Sequence, residues 1–141
     1  MLKTYKLDFG WEIAVPEDWL MEKRGVGSYI FYPEDVEDET TLYASALHSE
    51  DHKMLTPERL MKEAFDRGIP DNVQEETISA DLNCKAFSRL GTDGVYQIGA
   101  GFYTAGDLLS LNVYAKSEES ARSAASGFSQ TKFKRGGRNA F

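Results

Sequence analysis

His48 and His52, with Glu50 and Asp51 between them, are the residues whose types best suit a metal ion. Imidazole and carboxylate together hold zinc and similar ions. Such a spacing aligns two ligands on one face of a helix. This segment instead leaves a strand and precedes a helix cap at Thr56, so solvated loop histidines and no metal site are expected. Cys84 is the single cysteine, which excludes an internal disulfide and a cysteine metal cluster. It sits on the apolar side of the alternating run Leu82-Asn83-Cys84-Lys85-Ala86 and reads as a small buried hydrophobe. Nucleophilic catalysis needs a base held beside the nucleophile, and no Gly-x-Ser-x-Gly turn is present. Gly99-Ala100-Gly101 lies inside a strand pattern, so it is no phosphate-binding loop. No catalytic residue, no cofactor and no enzymatic activity are expected.

Two other groupings could bind something. Glu34, Asp35, Glu37, Asp38 and Glu39 crowd one loop. It lacks the Asp-x-Asp-x-Asp-Gly spacing of a calcium-binding EF-hand loop. It reads as a solvated hairpin loop or as a docking patch for a basic partner. The second grouping is a mixed sheet face. Alternation puts Phe87, Arg89, Gln97, Gly99, Gly101, Tyr103, Ser110, Asn112 and Tyr114 on one side, with Tyr43 joining from a neighbouring strand. The glycines leave a shallow hollow among amides and aromatic rings. Tyr43, Phe87, Arg89, Gln97, Tyr103, Asn112 and Tyr114 are therefore the candidate ligand-binding residues. The plain alternative is that a helix or the N-terminal segment covers this face.

The elements that must hold these residues follow from pattern. Residues 4–9 and 11–15 read as two strands, or as one kinked at Gly10. Tyr29-Ile30-Phe31-Tyr32, closed by Pro33, is a short strand buried on both faces, and residues 40–48 pair with it as a hairpin. Thr56-Pro57-Glu58 starts a helix that Gly68 and Pro70 stop. Residues 72–79, 82–90, 94–104 and 107–115 read as a meander, with turns at Asp93-Gly94 and Gly106-Asp107. Its other face, including Leu82, Cys84, Ala86, Ile98, Ala100, Phe102, Leu109, Leu111 and Val113, is apolar enough to be the core. Ser117-Glu118-Glu119 caps a last helix whose apolar face is Ala121, Ala124, Ala125 and Phe128. Strands first, two helices and hairpin connections make an α+β protein.

Both tryptophans lie in Trp11-Glu12-Ile13-Ala14-Val15-Pro16-Glu17-Asp18-Trp19. This strand, Pro-led turn and second indole resemble the opening of PsbP-like domains. So does the ending: a strand from Leu108 to Ala115, a small-residue helix over Ser117 to Ser126, and Phe128. The resemblance implies an antiparallel β-sheet packed by helices, a PsbP-like sandwich. Better-known members of that group act through protein contacts, and some bacterial relatives act as chaperones for secreted effectors.

The chain has 141 residues and a net charge of −7. That is one domain with room for a core. Residues 1–131 are expected to form it, with 132–141 as a basic tail. Every Asp and Glu lies before residue 120, while Lys132, Lys134, Arg135 and Arg138 follow it. The acidic body disfavours nucleic acid and anionic membrane as partners. No apolar run has signal-peptide or transmembrane length, so a cytoplasmic location is expected. The resulting expectation is a non-catalytic cytoplasmic module that binds another protein. A carrier of a small ligand or peptide on the amide and aromatic face is the alternative. Oligomeric state is left open.

Overall fold

The structure, a computed structural model, describes residues 1–35, 37–48, 74–78, 82–104 and 106–134. The expected helix after Thr56, together with Glu50, Asp51 and His52, lies outside the described residues.

Among the described residues, ten strands form two antiparallel sheets. β1 (Leu2–Lys6), β2 (Trp11–Pro16) and β10 (Lys132–Phe133) make a small sheet in the order β1-β2-β10. The larger sheet holds β3 (Trp19–Gly25), β4 (Ser28–Pro33), β5 (Thr41–His48), β6 (Gln74–Glu76), β7 (Asn83–Leu90), β8 (Tyr96–Thr104) and β9 (Asp107–Ala115). Its order is β3-β4-β5-β9-β8-β7-β6, with neighbouring strands antiparallel throughout. A helix, α1 (Glu118–Ala124), continues as a 3-10 turn to Gln130. Small sheet and helix together form the second layer of an α+β sandwich.

The core sits between the layers. Trp11, Ile13 and Val15 from β2 meet Phe31, Leu42, Phe102, Leu109, Leu111 and Val113 from the large sheet, all buried. β2 is buried along Trp11–Val15 without alternation, because the helix end covers its other side. A Cβ on Gly127 would reach the Ala14 carbonyl oxygen at 2.2 Å. Only glycine lets the two backbones approach so closely. Ala121, Ala124 and Phe128 are buried as their helical spacing requires, and Ser117 caps the helix by accepting from the Ser120 amide.

The meander, its two turns and the β4–β5 hairpin match the pattern reading. Four features differ from it. Trp19, read from sequence as a second indole after the Pro-led turn, starts a strand, β3. β4 alternates, with Tyr29 and Phe31 buried and Ile30 and Tyr32 partly exposed, so it is not buried on both faces. β1 and β2 are joined by a tight turn, Asp8–Gly10, in which Phe9 and Gly10 both take left-handed backbone angles. Lys132 and Phe133, expected in the tail, pair with Glu12 and Trp11 of β2. The Phe133 ring lies 4.9 Å from the Trp11 indole, and the Lys134 ammonium 2.9 Å from the Glu12 carboxylate. Pairing with β2 and the contact of the partly buried Phe133 ring with Trp11 hold this segment in the fold.

Candidate functional site

The outer face of the large sheet, turned away from the small sheet, carries the candidate ligand residues. β-Register puts Ile30, Tyr43, Asn112, Gly99 and Phe87 in one row across five strands. Gln97 bridges the polar part. Its Oε1 accepts from Arg89 Nε at 2.6 Å, and its Nε2 donates to Asn112 Oδ1 at 3.0 Å and to the Tyr114 hydroxyl at 3.2 Å. Asn112 Nδ2 then donates to Ser110 Oγ at 3.1 Å. The structure thus brings Arg89, Gln97, Asn112 and Tyr114 together, and the Tyr43 ring meets Tyr114 edge-on at 5.7 Å. Phe87 and Gln97 are buried, Tyr103 is half-buried, and Tyr43 stays exposed. The hollow expected at Gly99 is occupied. A Cβ there would come within 2.5 Å of the Phe87 ring and 2.7 Å of Asn112 Oδ1. The two amides bond each other, Arg89, Tyr114 and Ser110, which is the kind of pairing a buried polar network needs for stability.

The acidic loop is different. Asp35 Oδ1 accepts from the Glu37 amide, and Asp38 Oδ1 accepts from the Thr40 amide and hydroxyl. Those two aspartates therefore build the loop, as short polar side chains do at turns. Glu39 pairs with Lys116. Glu34 and Glu37 point to solvent. Register adds two carboxylates that the sequence kept apart. Trp19 pairs with Pro33, so Glu17 and Asp18 in the β2–β3 turn fall at the same end of the sheet as Glu34 and Asp35. Beside this acidic end, Leu20 is 45% exposed and cross-strand from Tyr32, and Tyr43 is also 45% exposed.

Sequence reasoning missed a further polar cluster. His48 Nδ1 lies 2.8 Å from Asp107 Oδ1, across the β5–β9 ladder, and Asp107 is fully buried. His48 is therefore no solvated loop histidine. Its ring also stacks on Phe9 at 5.4 Å. Nearby, the Asp8 carboxylate accepts from the Gly27 amide at 2.7 Å and pairs with Lys23 at 3.1 Å. The Gly27 bond, followed by Lys23, holds the Asp8 carboxyl below its usual range. A Cβ on Gly27 would strike the Ala46 carbonyl, and its backbone is left-handed, so this junction requires glycine. These contacts lock the β1–β2 turn onto the β3–β4 turn. Among the described residues no cluster of three potential metal ligands occurs, and no helix is long and apolar enough to cross a membrane. Burial pushes the Cys84 thiol up to about 11, a range in which little thiolate forms near neutrality.

No family model and no curated protein matches this chain. Solved structures do. A crystal structure from Bacteroides thetaiotaomicron VPI-5482 superimposes with a TM-score of 0.60 at 17% identity, over 91% of this chain and 46% of that one. This chain thus spans about half the length of the Bacteroides protein. The solution structure of cyanobacterial PsbP (CyanoP) from Synechocystis sp. PCC 6803 superimposes with a TM-score of 0.54 at 16% identity, over 94% of this chain and 92% of that one. The fold is PsbP-like. At such identities the likeness carries architecture and leaves function to the site.

Proposed function

We propose that this chain is a non-catalytic, cytoplasmic protein-binding module that captures a basic protein partner. The observation that carries the reading is the convergence of Glu17, Asp18, Glu34 and Glu37 beside exposed apolar side chains at one end of the large sheet. Charge of one sign steers an oppositely charged partner and raises the association rate. Exposed apolar area next to it supplies the buried contact once the partner arrives. The carrier alternative has less support, because Gln97 and Asn112 already bond each other and Phe87 fills the space over Gly99. The test is copurification with mass spectrometry, followed by association kinetics with the partner so identified. Replacing Glu34 and Glu37 by Gln slows association at low salt and leaves dissociation nearly unchanged. An association rate equal to that of the parent removes the steering role.

A further inference from the structure

The edge of the large sheet at β3 has a form that matches the proposed partner's charge. β3 has β4 on one side and, among the described residues, no strand on the other. Alternate backbone N–H and C=O groups of an edge strand point outward and can pair with an added strand. Natural edges are blunted by charge and by bulges, and β3 is blunted unevenly. Its second half carries Glu22, Lys23 and Arg24, and the register shifts between Lys23 and Gly25. Lys23 is held by Asp8, and Arg24 by Glu22 at 3.2 Å. Its first half carries Leu20 on one face and Met21 on the other, both more than two-fifths exposed. That unguarded half is also the end where the carboxylates converge.

We infer that the first half of β3 receives an extended segment of a partner protein, alternating apolar and basic residues, by strand addition. This rests on the reading above of a basic partner and names how that partner binds. Main-chain bonds to β3 supply affinity, and side chains of alternate parity supply selectivity. Apolar residues of one parity lie against Leu20 and Tyr32, which are cross-strand partners. Basic residues at the Trp19 end meet Asp18 and Glu34. A second copy of this chain is a poorer occupant. It brings the same net charge of −7, and its Lys23 and Arg24 already have partners.

The experiment uses a short labelled peptide alternating valine and lysine, and the same peptide N-methylated along its centre. Methylation keeps every charge and side chain and removes the backbone donors. The parent peptide binds at low salt, N-methylation weakens it by about tenfold or more, and exchange of the outward-pointing amide of the Leu20–Met21 pair slows on binding. Leu20→Lys, which guards the edge by like charge, weakens it similarly. Equal affinity for both peptides, lost when Glu34 and Glu37 become Gln, overturns strand addition and leaves electrostatic capture standing. No binding of either peptide overturns strand addition, and capture is then judged on the copurified partner alone. A dimer at micromolar concentration that Leu20→Lys dissociates assigns the edge to a second copy instead.

Discussion

One row of side chains crosses the outer face of the large sheet and changes character halfway. From Phe87 through Gly99 to Asn112, each position is filled by its neighbour: ring over glycine, amide against amide. From Tyr43 through Ile30 to Glu22, the same row opens to solvent. The pleat, the strand spacing and the face are the same. Around this row, the closed side buries polar Gln97 and Ser110 while the open side leaves Leu20 and Tyr43 exposed, the reverse of a simple inside-outside rule. Polar residues on a sheet face can saturate one another and become structure, whereas isolated apolar residues beside unpaired carboxylates remain available. Function is therefore better sought around Leu20 and Tyr43 than around Gln97.

The largest effects belong to what both halves rest on. Trp11 is fully buried under the sheet, and its indole N–H has no hydrogen-bond partner among the described residues. Trp11→Ala removes about 3–5 kcal/mol in urea unfolding. Trp11→Phe keeps most of the ring and discards the unpaired donor, so it costs much less. A melting temperature for Trp11→Ala within a degree or two of the parent would contradict the packing described.

The closed half is tested next. Gln97→Ala leaves Arg89 and Asn112 without their shared partner, at a cost of about 1–3 kcal/mol. Gly99→Ala drives a methyl into the Phe87 ring and costs a similar amount, about 1–3 kcal/mol, through overpacking. If both variants melt like the parent, this half is as open as the other, and the carrier reading returns.

A smaller effect separates the far edge. Arg122 of α1 grips Glu76 of β6 in a fork, at 2.9 and 3.0 Å, and also touches the Tyr96 hydroxyl. The guanidinium holds the Glu76 carboxyl below its ordinary value. A depressed folded pKa adds stability above the unfolded pKa, lost as pH falls through the folded one. The pair is partly exposed, so Glu76→Gln costs at most about 1 kcal/mol at neutral pH. That gap closes on acidification below the ordinary carboxylate range. A gap that persists there would assign the effect to packing.

Much of this architecture was legible as alternation. In the meander one parity is apolar and the other mixed, and Asp-Gly and Gly-Asp turns punctuate the strands, so facing followed from spacing even though β8 and β9 are buried on both parities over much of their length. β3 was not legible, because an edge strand exposed along nearly its whole length has no buried parity to read. β10 has two residues, too few for any period. His48 and Asp107 lie 59 positions apart, and only the β5–β9 register makes them neighbours. The acidic loop was visible as composition, but its junction with Glu17 and Asp18 depends on the pairing of Trp19 with Pro33. Sequence named the members of the amide face and missed that they bond one another. Donor-to-acceptor matching depends on rotamers that parity does not carry.

The smallest effect on stability carries the most information about the open half. Glu34 and Glu37 have exposed carboxylates, whereas Asp35 and Asp38 accept bonds that shape the loop. Glu34→Gln with Glu37→Gln should therefore change stability by no more than about 0.5 kcal/mol, as surface substitutions do. Removing two like charges from a crowded end even relieves some repulsion. Asp38→Asn is the control, since it weakens a turn contact as well as a charge. If stability in the double variant is flat and partner association slows at low salt but not at high salt, the carboxylates act at long range, screened as expected over about 10 Å. If association slows equally at both salts, the glutamates touch the partner directly, and the acidic end belongs to the contact itself rather than to its approach.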